Sequence, residues 1–128
     1  MIYLDTSVVL AHLLAADRAL ANEVWQQSLI SSRLLEYEVW NRIHARGLAL
    51  SHGDEVRTLL GRVAMIELVP PVLARALEPF SVAVRTLDAL HLSSIEFLRS
   101  RRQAVSLASF DERLLAGARS LGISIYQA

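Results

Sequence analysis

The sequence contains no cysteine. Disulfides and thiolate metal sites are therefore excluded, and the chain suits a reducing compartment. It contains no lysine either: all 13 basic residues are arginine. That removes a P-loop, whose lysine reaches the phosphates, and Schiff-base chemistry, which needs a lysine amine. It also weakens any phosphoaspartate mechanism with a lysine partner. The 13 acidic residues balance the 13 arginines, so the net charge is zero. This argues against a nucleic-acid binder held by bulk charge, while leaving room for a local basic rim. No apolar run approaches the ~20 residues that span a bilayer. No basic n-region of a secretory signal is visible. The expected location is the cytoplasm, with no membrane partner. Repeats, low-complexity tracts and linkers are also lacking.

What is present is apolar. Hydrophobic residues make up 53% of 128 positions, high enough that part of this surface is expected to face a partner. The length suits a single domain over residues 1–128. Ile2-Tyr3-Leu4-Asp5-Thr6-Ser7 reads as a buried strand, a turn and the entry to a helix over 7–16. Asp17 is expected to cap a second helix, reaching about residue 28, with Leu20, Val24 and Trp25 on one face. A strand over 29–32 and a helix over 33–46 follow, with Gly47 at the C′ position. Gly53-Asp54 is expected to open a helix ending near residue 64, before a strand over 65–69 that Pro70-Pro71 stops. A short helix ends or kinks at Pro79. Thr86 opens a long helix to about residue 101. A strand over 104–108, a helix over 110–120 capped by Ser109 and ended by Gly122, and a strand over 123–126 complete the chain.

Short apolar strands alternating with helices predict an α/β fold, with a parallel sheet covered by helices on both faces. Right-handed crossovers then place every strand's C-terminal end on one edge, where open α/β sheets bind ligands.

Four acids share that address, and each also has a local explanation. Asp5 ends the first strand and suits a helix N-cap. Glu36 and Glu38 both border apolar residues of one helix, and periodicity does not choose between them; an ion pair from Glu38 to Arg42 is the ordinary expectation. Asp88, two residues after Thr86, suits the first turn of a helix. Ser109 and Glu112 have capping-box spacing, which leaves Asp111 over. Carboxylates converging on one edge repel one another unless a cation lies between them. Oxygen-only ligands suit Mg²⁺ or Mn²⁺, and such an ion supports hydrolysis of a phosphodiester.

The segments Leu4-Asp5-Thr6-Ser7, Ser31-Ser32 with Glu38, Thr86-Leu87-Asp88-Ala89-Leu90-His91-Leu92 and Ser109-Phe110-Asp111-Glu112-Arg113-Leu114 resemble the PIN-domain ribonucleases. They look most like the VapC toxins of toxin–antitoxin pairs. The resemblance runs the length of the chain, and its most specific part is Leu87 to Leu92. It implies a three-layer α/β/α sandwich and a metal-dependent endoribonuclease that hydrolyses RNA with Mg²⁺ or Mn²⁺. The family's metal-binding and catalytic acids carry over to Asp5, Glu38, Asp88 and Asp111, with Glu38 favoured over Glu36. Thr6, Ser7 and Ser109 match hydroxyls that hydrogen-bond the acids or a metal-bound water; the last is commonly Thr in the family. The resemblance also implies a homodimer silenced by a VapB-like antitoxin seated in an apolar groove. Leu13, Leu14, Val24, Trp25 and Trp40 are candidates for that groove, with core as the plainer role.

His91 stands three residues after Asp88; a packed or solvated helix histidine is the plainer reading. No histidine pair has zinc-site spacing. Arg99, Arg101 and Arg102 end a helix, where cations suit its dipole, at the end away from Asp88. The alternatives to a toxin ribonuclease are a non-catalytic binding module of the same fold and an RNA-processing nuclease outside any toxin–antitoxin pair. A phosphatase or phosphoreceiver using Asp5 as nucleophile is disfavoured by the missing lysine and by the lack of a second Asp two residues on.

Overall fold

Tyr3 and its two strand neighbours point to opposite sides of a sheet, and the rest of the chain is layered accordingly. In the computed structural model, which describes residues 1–127, β1 is Ile2–Leu4, β2 Leu29–Ser32, β3 Ala64–Ile66, β4 Ser106–Ala108 and β5 Ser124–Ile125. The sheet has the order β3-β2-β1-β4-β5, with all pairs parallel. Side chains alternate along each strand. Ile2, Leu4, Leu29 and Ala108 enter one core, with residues of α1 (Thr6–Leu13), α2 (Leu34–Ala45) and α3 (Ala49–Leu60). Tyr3, Ile30 and Leu107 enter the other, with α5 (Thr86–Ser100) and α6 (Glu112–Ser120). The expected three-layer α/β/α sandwich is therefore the observed fold. The helix α4 (Pro70–Ala76) packs along α5, where Arg75 pairs with Glu96 at 2.9 Å.

The order decides where a site can form. From β1 the chain steps outward through β2 and β3, then returns to pair β4 on the other side of β1. The two connections leave the ends of β1 and β4 in opposite directions, which opens a crevice between them.

Several boundaries differ from expectation for identifiable reasons. The first helix ends at Leu13 because Ala15 adopts φ +49°, and the Ala16 N–H returns to the Ala11 carbonyl at 2.9 Å. Asp17 caps nothing; the second helix is only a 3-10 segment, Asn22–Gln26, entered from Ala21. Burial of Val24 and Trp25 holds that segment, overriding the longer periodic pattern. The helix expected to open at Gly53 begins at Ala49, with Gly53 buried inside it. Its apolar face of Val56, Leu59 and Leu60 outweighs the ~1 kcal/mol propensity cost of an internal glycine. Gly47 and Gly122 do follow helices as C′ residues, at φ +67° and +69°. Leu13, Val24 and Trp25 are buried in the core, while Leu14 and Trp40 pack against it. The core role thus holds for the groove candidates Leu13, Val24 and Trp25. No helix of the described residues is long and apolar enough to cross a membrane.

Candidate active site

The chain leaves β1 at Leu4, and Asp5 caps α1. The capping role is real but slight: the Ser7 N–H reaches Asp5 Oδ2 at 3.4 Å. The stronger bonds come from hydroxyls. Ser7 Oγ donates to Oδ2 at 2.6 Å, and Ser109 Oγ donates to the same oxygen at 2.8 Å. Ser7 Oγ in turn accepts from the Phe110 N–H at 2.9 Å. Two strand ends are thereby tied together through one carboxylate oxygen, on a residue that is only 6% exposed. Thr6 is placed differently. Its Oγ1 is buried with no protein partner among the described residues, so it holds none of the acids directly.

Asp111, not Ser109, caps α6. Its Oδ1 accepts from the Arg113 and Leu114 N–H groups at 3.0 and 3.3 Å. The anticipated Ser109–Glu112 capping box is therefore replaced, because the Ser109 proton goes to Asp5. Asp88 sits in the first turn of α5, where Arg85 and not Thr86 is the N-cap. The Arg85 N–H donates to Asp88 Oδ2 at 3.2 Å. Burial pushes the Asp88 carboxyl above the usual range. Repulsion from Asp111 and Asp5 pushes it the same way, against the Arg85 N–H and His91, which pull it down.

Glu38 and Glu36, which periodicity could not separate, have different fates. Glu36 makes a half-exposed ion pair with Arg33 at 2.9 Å. Glu38 makes no pair with Arg42; its Oε1 lies 2.6 Å from His91 Nε2. His91 is 1% exposed, and its other nitrogen, Nδ1, lies 2.7 Å from the Tyr3 hydroxyl.

Asp5, Glu38, Asp88, Asp111, Glu112 and His91 all line one cleft of about 690 Å³. Arg85, Thr86, Leu87 and Arg113 complete its wall. Four of these acids come from positions far apart in the chain and meet at the β1/β4 crevice. Ser109 supports the floor, and Glu36 lies outside. The cluster Arg99, Arg101 and Arg102 is also outside: Arg99 donates to the Leu121 carbonyl and Arg101 covers the Phe97 ring.

The donor chemistry fits a hard divalent cation. All the acids offer oxygen, and the strain on Asp88 is of the kind a cation relieves. Among the described residues, no three acidic or histidine side chains are drawn into a ready metal cage. Mg²⁺ suits such a site, since it keeps several of its waters and takes only one or two carboxylates directly. Asp5, Glu38, Asp88 and Asp111 are the side chains that could hold it.

Tyr3 escapes a motif reading because it looks like any apolar strand residue. The available signal is that a buried phenol needs a hydrogen-bond partner. His91 had a signal in its spacing from Asp88, but not one that distinguishes a packed histidine from one at a site.

Comparison with known proteins agrees with the fold. The family model for the PIN domain matches residues 2–119. A relative, Ribonuclease VapC47 of Mycobacterium tuberculosis (strain CDC 1551 / Oshkosh), is 27% identical over 129 residues, covering 95% of this chain and 93% of the relative.

Proposed function

We propose, for a chain that belongs to the PIN-domain family, that the acidic cleft is the active site of a metal-dependent endoribonuclease acting as the toxin of a toxin–antitoxin pair. The observation that carries this reading is the cleft itself. Four acids from four separate segments line it at the β1/β4 crevice. The name of the relative, Ribonuclease VapC47, supports the substrate and the toxin role.

Asp5, Glu38, Asp88 and Asp111 hold Mg²⁺ or Mn²⁺ in this reading. When bound, the ion lowers the pKa of its water and polarises a phosphoryl oxygen. The chain's own groups do the positioning. Ser7 and Ser109 occupy Asp5 Oδ2, and among the described residues no protein group donates to Oδ1. The start of α5 presents Asp88 from a helix end that favours negative charge. Arg85 and Arg113 line the same cleft and supply cationic groups for RNA phosphates. A VapB-like antitoxin, a homodimer and a cytoplasmic location belong to the same reading. An apolar face supports assembly, where Leu73, Leu77 and Val82 stand exposed around a groove beside the cleft.

The test is cleavage of a structured RNA by the purified chain, with Mn²⁺ or Mg²⁺ and then with chelator. Cleavage is expected only with metal, and Asp5→Asn and Asp88→Asn are each expected to lose at least about 100-fold. Glu36→Gln is expected to cut at the wild-type rate. Wild-type rates in both aspartate variants would overturn the proposal.

A further inference from the structure

Tyr3, His91 and Glu38 form a continuous hydrogen-bonded chain that crosses the sheet edge, from β1 to α5 to α2. We propose that His91 is a positioning residue, held by Tyr3 as the neutral Nε2–H tautomer so that it donates to Glu38 Oε1 and fixes that carboxylate in the cleft. The inference rests on Glu38 being one of the acids that hold the cation.

The proton positions follow from the chemistry of the three groups. An ionised carboxylate has no proton to give, so at 2.6 Å His91 Nε2 must be the donor. Of the two imidazole tautomers only the Nε2–H form donates to Glu38, and its bare Nδ1 accepts. The Tyr3 hydroxyl lies 2.7 Å from it, with the two rings edge to face at 84°. Tyr3 is fully buried, and that burial keeps the phenol protonated and able to donate. His91 is itself 1% exposed, so water does not compete for either nitrogen.

The arrangement singles out one oxygen of Glu38. Oε1 is held by His91, and no protein group donates to Oε2 among the described residues. The carboxylate is thus pinned at one atom and free at the other, as Asp5 is pinned at Oδ2. Hydrogen-bonded partners of this kind orient metal-binding carboxylates, and their removal costs about 10–100-fold in metal affinity. A helix histidine kept only for packing needs neither a buried phenol behind it nor a carboxylate in front.

The test reads Mn²⁺ affinity by calorimetric titration, beside thermal unfolding of each variant. His91→Leu is expected to weaken Mn²⁺ binding by about 10–100-fold. His91→Gln, which can still donate from a similar position, is expected to recover most of the loss. Tyr3→Phe keeps the ring and is expected to weaken binding in the same direction. In a Glu38→Gln background His91→Leu is expected to add nothing, because its effect runs through Glu38. Unchanged affinity in folded His91→Leu, or full additivity with Glu38→Gln, overturns the proposal. Asp5→Asn serves as the control: if it binds Mn²⁺ as the wild type does, the metal-site reading fails instead. ¹⁵N imidazole spectra of the wild-type chain cover the case of a variant that does not fold. They are expected to show a bare Nδ1 and a protonated Nε2 on His91; a proton on Nδ1 overturns the assignment.

Discussion

The Ser109 hydroxyl donates to Asp5 Oδ2 at 2.8 Å, although 104 positions separate the two residues. This bond joins the end of β4 to the end of β1, next to the ladder bond from the Asp5 N–H to the Ala108 carbonyl. Ser109→Ala removes it and leaves Ser7 as the remaining hydroxyl on Asp5 among the described residues. Mn²⁺ affinity is expected to fall about 10-fold, as for other groups that orient a metal-binding side chain. Ser109→Thr is expected to restore it. Equal affinities for the alanine variant and the wild type, measured by calorimetric titration, count against the role.

Asp88 predicts a pH dependence of stability. Its folded pKa lies above the unfolded value near 3.8, chiefly through burial. The fold therefore favours the protonated form. The contribution to stability is fully present below that unfolded value and is lost as pH rises through the folded one. In chelator, the unfolding temperature of Asp88→Asn minus that of the wild type is expected to increase between pH 3 and pH 7. Added Mn²⁺ is expected to narrow the gap at pH 7, because a cation favours the ionised carboxylate. A difference that stays flat with pH refutes the assignment.

Gly117 predicts a packing limit between α5 and α6. A Cβ placed there would stand 2.7 Å from Leu92 Cδ1 and 3.3 Å from Val84 Cγ1. Leu92 is fully buried in the core it shares with Leu114, Leu115 and Ala118, so a shift of its methyl must repack its neighbours. Gly117→Ala gains up to ~1 kcal/mol in helix propensity, but overpacking costs about 1–3 kcal/mol. The expected net result is a loss of stability. Denaturant unfolding checks it, and an alanine variant more stable than the wild type contradicts it.

Much of the fold is local in origin, and so it was legible in the chain. Leu29-Ile30-Ser31-Ser32 is an apolar run ended by hydroxyls and forms a strand with those limits. Gly47 stops α2 because it accepts a positive φ without strain. The first helix stops short of its apolar pattern, since nothing in Ala15 announces the left-handed conformation that ends it. Asp5, Asp88 and Asp111 could be placed at strand or helix ends from their neighbours alone. Asp5 suits an N-cap and Asp88 a first helical turn, and both interact with helix-start N–H groups; Asp111, which the Ser109–Glu112 spacing leaves over, is itself the cap of α6.

What the sequence determined by itself is therefore periodicity, turn chemistry and the supply of acids: an alternating α/β chain with carboxylates at element ends. Only the tertiary structure decided which groups meet. Glu36 and Glu38 both border apolar residues of α2, so periodicity does not choose between them, yet packing of α2 sends one to Arg33 and the other to His91. Ser109 has the spacing of a helix cap, yet its proton goes to the carboxylate that follows β1. Tyr3 reads as one more apolar strand residue until α5 closes over it and brings His91 to its hydroxyl. The physical reason is the same throughout. Local preferences of about 1 kcal/mol choose elements, whereas a buried polar group must find its partner wherever the fold brings one.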